Sequence, residues 1–183
     1  GATSDLTIEN NHVSDGGDGV YLVYDQSAAD AVADIKNNEI HSCDVGLEIY
    51  ADNASLAPQI VGNTVRNNRQ VGISAWIDNN DNNNFLPYLE GNQIYENEDS
   101  GIFLRATEVV TLVNNSLYDN DPYDFYNDGE ADVNANTNWW GVATTNEMTD
   151  KTYPANIFAI FDSYDDAAKG FVDYANWLTI YGR

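Results

Sequence analysis

The sequence has very few basic residues. Of its 183 residues only 7 are Lys or Arg, against 30 Asp or Glu, and the formal net charge at pH 7 is −23. A field this negative repels phosphate backbones, so we expect no nucleic acid among the partners of the protein. The same charge favours solubility and the binding of cations.

Cysteine and long apolar runs are also scarce. Cys43 is the only cysteine, which excludes an intrachain disulfide. We expect its thiol to be a small buried group and not a nucleophile. No apolar run is long enough to cross a bilayer, so insertion into a membrane is not expected.

A helical period is missing from residues 5–140, where a pattern centred on asparagine recurs instead. An apolar residue stands three positions before each central Asn, and another stands two positions after it. Apolar residues that alternate with polar ones indicate strands, not helices. The central residues are Asn11, Asn38, Asn63, Asn92, Asn115 and Asn138.

The second half of each unit carries a further Asn position and then a glycine before an apolar residue. The second Asn position holds Cys43, Asn68, Asn97 and Asn120 in successive copies. The glycine pairs are Gly19-Val20, Gly46-Leu47, Gly72-Ile73 and Gly101-Ile102, and the fifth copy has Asp124-Phe125 there.

The repeat length predicts the fold. The steps between central Asn residues are 27, 25, 29, 23 and 23 residues. A unit of this size with short strands cannot bury its apolar side alone, so it must stack on its neighbours. We therefore predict an all-β, parallel solenoid of about six coils. In it, each Asn amide is expected to donate to the coil on one side and to accept from the other.

This repeat resembles that of the right-handed parallel β-helix proteins of the pectin-lyase-like superfamily. The resemblance covers about residues 5–140, and residues 138–141 and 170–178 resemble the closing segment of many such proteins. It implies a right-handed β-helix over residues 1–141 and a C-terminal capping segment of the same domain over residues 142–183. Within that segment we predict a loop at residues 144–154, and we expect Trp139 and Trp140 to pack in the cap.

The chain begins directly on a repeat, and solenoids need capped ends. We therefore expect further domains upstream in a longer chain, which would also carry an export signal. This places the protein outside the cell or on its surface.

Alternate residues of the strand that follows each glycine are expected to point outward, in two rows across neighbouring coils. Aromatic rings stack on the apolar faces of sugars, and charged side chains bind sugar hydroxyls or carboxylates. The resemblance implies the same, since enzymes of that superfamily bind glycans along a comparable face. The candidate carbohydrate-binding residues are Tyr21, Glu48, Tyr50, Trp76, Phe103, Arg105 and Asp128. The alternative is ordinary strand surface, with Arg105 paired to Glu48 or Asp128.

Two groups of acidic residues are candidate Ca²⁺ sites, because Ca²⁺ prefers several oxygen ligands. The first group is the loop at residues 78–84, with Asp78 and Asp81. The second group is Asp119, Asp121 and Asp124, with Asp128 four residues further along the chain. Neither has the spacing of an EF-hand, and the alternative for the loop is a flexible polar segment.

The catalytic motifs of the superfamily's enzymes are not found. Asp121-Pro122 is followed by Tyr123 and not by the His of the epimerase-type Asp-Pro-His-Glu motif. His12 and His41 occupy different places in their coils, so we predict neither a catalytic triad nor a set of metal ligands that includes them.

These observations favour a non-catalytic domain of a secreted or cell-surface protein that engages polysaccharide. Two alternatives stay open. The chain would be the C-terminal part of a polysaccharide lyase or epimerase if lyase motifs precede it. It would be a structural spacer in an adhesin-like protein if tandem adhesion modules surround it.

Overall fold

The computed structural model describes residues 6–25, 32–52, 54–78 and 84–181. Over these residues the chain forms eighteen short strands and one α-helix. Successive strands of each coil belong to three different sheets, in which neighbouring strands run parallel. A chain that winds through three parallel sheets in turn forms a β-helix.

The three sheets run along the length of the solenoid. The first contains seven strands, in the order β1 (Leu6–Glu9), β4 (Ala33–Lys36), β7 (Gln59–Val61), β10 (Tyr88–Glu90), β13 (Val110–Val113), β16 (Val133–Asn134) and β18 (Val172–Asp173). The second contains five: β2 (His12–Ser14), β5 (Glu39–His41), β8 (Thr64–Arg66), β11 (Gln93–Tyr95) and β14 (Ser116–Tyr118). The third contains six: β3 (Val20–Asp25), β6 (Leu47–Asp52), β9 (Ile73–Ile77), β12 (Ser100–Arg105), β15 (Tyr123–Asn127) and β17 (Ile160–Phe161). Helix α1 covers Gly141–Asp150.

The strand count fixes the number of coils. Each complete coil gives one strand to each sheet, so the five strands of the second sheet define five complete coils over the described residues. Strands β16 and β17 belong to a sixth, incomplete coil. The predicted fold class is confirmed, and the number of complete coils is slightly lower than predicted.

Equivalent apolar residues of neighbouring coils stack in register at the centre of the solenoid. In the first sheet Ile35 pairs with Ile60, and Ile60 pairs with Leu89. In the second sheet Ile40 pairs with Val65 in the same way. All of these side chains are fully buried. Because side chains alternate along a strand, this register turns the polar residues between them outward.

The central Asn residues form a hydrogen-bonded ladder along the solenoid. Asn63 Nδ2 donates to Asn92 Oδ1 at 3.0 Å, and Asn92 Nδ2 donates to Asn115 Oδ1 at 2.9 Å. The ladder continues in the same direction from Asn11 to Asn138. Each backbone N–H in the ladder also donates to the Asn of the next coil. These bonds satisfy the polar groups of the turn between the first two sheets.

A second ladder follows the turn between the second and third sheets. Asn68 Nδ2 donates to Asn97 Oδ1, and Asn97 Nδ2 donates to Asn120 Oδ1, both at 2.8 Å. Asn120 Nδ2 then donates to Asp124 Oδ1 at 2.9 Å, so a carboxyl group ends this ladder. At the other end, the backbone N–H of Cys43 donates to Asn68, and the Cys43 thiol is fully buried as expected.

A column of glycines stands beside the second ladder. A Cβ atom added to Gly72 would lie 2.6 Å from the carbonyl oxygen of Gly101 and 2.7 Å from Asn97 Nδ2. Gly46 and Gly101 stand equally close to the backbone of the coils that follow them. The repeated glycine therefore lets neighbouring coils approach to one strand spacing.

The C-terminal segment packs on the last coil. Strand β17 extends the third sheet by pairing with β15, and β18 extends the first by pairing with β16. Trp140 is fully buried. Trp139 is half-buried and lies on the outside of the second sheet, with its ring centroid 5.0 Å from that of Tyr118.

Helix α1 corrects the loop that was predicted at residues 144–154. Its buried residues are Gly141, Thr144, Thr145 and Met148, which share one helical face. Two of these are threonines, so the buried face lacks the apolar period by which a helix is recognised from sequence. No helix in the described part of the chain is long and apolar enough to cross a membrane.

Candidate functional site

The two predicted rows lie in register on the outside of the third sheet, and we call this surface the outer face. The first row comprises Tyr21, Glu48, Ser74, Phe103 and Tyr126. Phe161 of β17, which was not part of the prediction, extends it beyond Tyr126. The second comprises Val23, Tyr50, Trp76 and Arg105, and Asp128 follows directly after β15. The ladders and the glycine column fix the register of the coils, and the register brings these residues together.

The second row is a continuous stack with Trp76 at its centre. The ring centroids of Tyr50 and Trp76 are 4.1 Å apart and the rings are inclined by 21°. The guanidinium carbon of Arg105 lies 6.0 Å from the Trp76 ring. Because β9 lies between β6 and β12, these two contacts cover opposite faces of the indole. A ligand on the outer face therefore meets the edge of Trp76.

The indole N–H of Trp76 points along the outer face to a carboxylate. It donates to Glu48 Oε1 at 3.2 Å. Glu48 thereby links the two rows, and this bond holds the indole in its orientation.

The first row has a gap at Ser74. Tyr126 lies between Phe103 and Phe161, with centroid distances of 5.6 Å and 4.2 Å. On the opposite side of Phe103 the neighbour is Ser74, whose small side chain is 8% exposed. Among the described residues no ring stacks on the face of Phe103 that is turned toward Ser74. Tyr21, at the other end of the row, is 55% exposed.

Asp128 is held by two cations. Arg105 Nε donates to Asp128 Oδ2 at 2.7 Å, and Lys169 Nζ donates to Oδ1 at 2.6 Å. Burial opposes the ionisation of Asp128, but the hydrogen bonds from Lys169 and Arg105 outweigh it and lower the pKa of this carboxyl. The pairing of Arg105 with Asp128, one of the predicted alternatives, is confirmed.

The other basic residues are paired in the same way. Within the described ranges, every Lys and Arg side chain forms an ion pair with a carboxylate. An anionic polymer therefore meets no unpaired cation on the described part of the outer face.

A shallow depression of about 210 Å³ lies at the end of the outer face. Asp78, Thr107 and Glu130 supply its polar lining. It is smaller than the roughly 300–1,000 Å³ that is typical of small-molecule sites. An extended ligand that rests on the surface fits this geometry better than an enclosed small substrate.

The structure does not bring Asp119, Asp121 and Asp124 together as a set of metal ligands. Asp119 and Asp121 are exposed, whereas Asp124 is 2% exposed and points inward to end the second ladder. Asp124 lies where the other coils have glycine, and Asn120 requires an acceptor there. Of the first candidate group, Asp78 is exposed, and Asp81 lies outside the described residues. A Ca²⁺ site at residues 78–84 stays a prediction.

Burial raises the pKa of Asp124 from 3.8 to about 7, against the opposing effect of its hydrogen bonds from Asn120. The folded state thus binds a proton more tightly than the unfolded state does. The stability that Asp124 contributes is full below pH 3.8 and is lost as the pH rises to about 7.

We expect Asp124→Asn to stabilise the protein above pH 7, because the amide still accepts from Asn120 and carries no charge. The gain over the parent, about 1–3 kcal/mol for relief of a buried charged group, should shrink as the pH falls below 7. Denaturant unfolding across this pH range measures it, with exposed Asp121→Asn as the control. A gain that does not depend on pH would show that ionisation of Asp124 is not its cause.

The structure brings together three side chains that sequence reasoning kept apart. On the outside of the second sheet, His12 Nδ1 lies 3.1 Å from Glu39 Oε2, and His12 Nε2 lies 3.2 Å from His41 Nε2. Strand β2 pairs His12 with Glu39 and Ser14 with His41, so the two imidazoles are diagonal neighbours. The signal was available in the sequence: His12 and His41 are one and three residues after a central Asn, and these positions share the outward side of a strand.

The three sheets, their parallel register and the two ladders define a parallel β-helix. A family model described as right handed beta helix region matches residues 1–139, and the chain belongs to this family. No curated protein gives a significant match. No solved structure gives one either.

Proposed function

We propose that this β-helix is a non-catalytic domain of a secreted or cell-surface protein that binds polysaccharide on its outer face. The observation that carries the proposal is the ring of Phe103, which stacks on Tyr126 on one side and has no described ring on the side of Ser74. A sugar ring can stack on Phe103 from the side of Ser74. Glu48, the next residue of the row beyond Ser74, offers a carboxylate to its hydroxyls.

The dimensions of the gap suit a ligand that rests on the surface. Glu48 and Phe103 are two strand spacings apart, roughly 9.6 Å. Because Ser74 is only 8% exposed, the neighbouring side chains narrow the gap, and a sugar would enter it in part. Binding is therefore expected to be weak for a single sugar and stronger for a polymer that contacts several coils.

The charge of the protein selects the class of glycan. The net charge is −23, and the described cations are all paired. Both features disfavour strongly anionic polymers and favour neutral or weakly acidic ones.

We expect the parent protein to bind a neutral or weakly acidic polysaccharide on a glycan array, and Phe103→Ala to lose that binding. Ser74→Tyr should also abolish it, because the new ring would fill the gap beside Phe103. Tyr95→Ala is the matched control, since it removes an outward ring of the second sheet that stacks on Tyr118 at 4.8 Å. Melting temperatures of all variants show whether the fold is retained.

If no glycan binds, or if Phe103→Ala binds as well as the parent, the outer face is ordinary strand surface. The structural spacer then becomes the leading function. One observation already favours the spacer: Tyr50 stacks on Trp76 at 4.1 Å and Tyr126 stacks on Phe161 at 4.2 Å, so these rings already have stacking partners within the chain. The third reading, the C-terminal part of a lyase or epimerase, stays a prediction.

A further inference from the structure

The cluster of His12, Glu39 and His41 lies on the second sheet, away from the outer face. Their ligand atoms all lie within 4.8 Å of one another. The side chain of His12 is 59% exposed and that of Glu39 is 44% exposed, so an ion can reach the cluster from solvent. Nothing in the proposed glycan binding uses these residues.

Glu39 determines the tautomer of His12. An ionised carboxylate only accepts hydrogen bonds, so His12 Nδ1, 3.1 Å away, must carry the proton. In the neutral imidazole this leaves the lone pair on Nε2. Nε2 of His41 lies 3.2 Å from this atom.

Both neutral tautomers of His41 are compatible with its neighbours. Its Nδ1 lies 3.0 Å from the Ser42 hydroxyl, which can either accept or donate. If Ser42 donates, His41 Nε2 carries a proton and donates it to His12. If Ser42 accepts, both Nε2 atoms present lone pairs to each other, and the contact requires a cation between them.

We propose that these two imidazoles bind a divalent transition-metal ion of the Zn²⁺ class through their Nε2 atoms. Tetrahedral Zn²⁺ binds imidazole nitrogens at about 2.0–2.1 Å, which puts two such nitrogens roughly 3.3–3.4 Å apart. The observed separation is 3.2 Å. The ligands of the site are therefore already close to the required spacing, and water would complete the coordination.

Glu39 acts as the positioning residue of this site. Metal-bound imidazoles usually donate their other N–H to a carboxylate or a carbonyl, which fixes the ring and raises its basicity. Arg66 Nη2 donates to the second oxygen of Glu39, Oε1, at 2.8 Å and holds the carboxylate in place. Imidazole and water suit Zn²⁺, Ni²⁺ or Cu²⁺, whereas Ca²⁺ and Mg²⁺ prefer carboxylate and carbonyl oxygens.

The two imidazoles can be observed directly, because the chain has only 2 His. We would titrate the untagged protein with ZnCl₂ and record imidazole ¹H–¹⁵N correlations and calorimetric binding. The expected result is one Zn²⁺ per chain, with both Nε2 resonances shifted and neither Nδ1 deprotonated. Mg²⁺ and Ca²⁺ at equal ionic strength should leave these resonances in place.

Variants separate the ligands from the positioning residue. His12→Gln and His41→Gln should each weaken Zn²⁺ binding at least as much as Glu39→Gln, for which a loss of roughly tenfold or more is expected. Thr64→Ala, which changes the residue paired with Glu39 on the neighbouring strand, should leave Zn²⁺ affinity unchanged. The proposal is overturned if Zn²⁺ leaves both Nε2 resonances unshifted, if two chains share one ion, or if either His variant binds as tightly as the parent.

Discussion

Gly72→Ala is expected to lower the free energy of unfolding by about 3 kcal/mol or more, or to prevent folding altogether. The added methyl carbon would lie 2.6 Å from the carbonyl oxygen of Gly101 and 3.0 Å from Asn97 Cγ. The first is backbone, and Asn97 is held by its own bonds in the second ladder. Neither neighbour can move without separating two coils.

The matched control is Gly16→Ala. At Gly16 the nearest heavy atom to an added Cβ is the carbonyl oxygen of Asp18 at 3.8 Å, which is an ordinary contact. We expect a change within about 0.5 kcal/mol there. Denaturant unfolding measures both variants. Parent-like stability of Gly72→Ala would show that the coils do not depend on this close approach.

Asn92→Ala is expected to destabilise the protein by roughly 2–5 kcal/mol, because buried polar groups without partners cost about 1–3 kcal/mol each. The change removes the acceptor of the Asn63 backbone N–H, at 2.9 Å, and of Asn63 Nδ2, at 3.0 Å. It also removes a donor to the carbonyl oxygen of Ile60, at 2.8 Å. Asn63 is 1% exposed, so water does not replace the lost partners.

Asn11→Ala controls for the residue type. Asn11 is the first member of the same ladder and is exposed, so water can satisfy the groups that its side chain releases. We expect its loss to cost no more than about 0.5 kcal/mol. Equal losses from Asn92→Ala and Asn11→Ala in urea unfolding would mean that burial of the ladder does not set its contribution.

The repeat could be predicted from the sequence because residues at equivalent positions of neighbouring coils are similar and stack on one another. Once Gly46 and Gly72 are aligned, the alternation of side chains places Tyr50 beside Trp76 without further information, because each ring stands four residues after its glycine. The predicted rows of the outer face therefore have the correct register. The contacts of these residues were harder to predict from the sequence. Lys169, which holds Asp128, lies outside the repeat and 41 residues away in the chain.

The acidic groups and the histidines show why composition alone misleads. Asp119 and Asp124 look alike in the sequence, yet one is exposed and the other ends a buried ladder. What distinguishes them is the repeat: Asp124 occupies the position at which the preceding coils have glycine. His12 and His41 occupy different positions in their coils, which hides their relation in the sequence. Both positions nevertheless face outward from the second sheet, and this shared face brings the two imidazoles together.

The ladder of central Asn residues keeps the same contact although its members are 23, 25, 27 or 29 residues apart in the chain. The extra residues fall between the third sheet and the first, at residues 26–32, 53–58 and 78–87, and leave the strand pairing unchanged. The number of residues in a coil can therefore change while the spacing between neighbouring coils stays the same. Insertions can accumulate on one flank during evolution without any change to the core, and the same flank is where a foreign peptide could be grafted with the least disturbance.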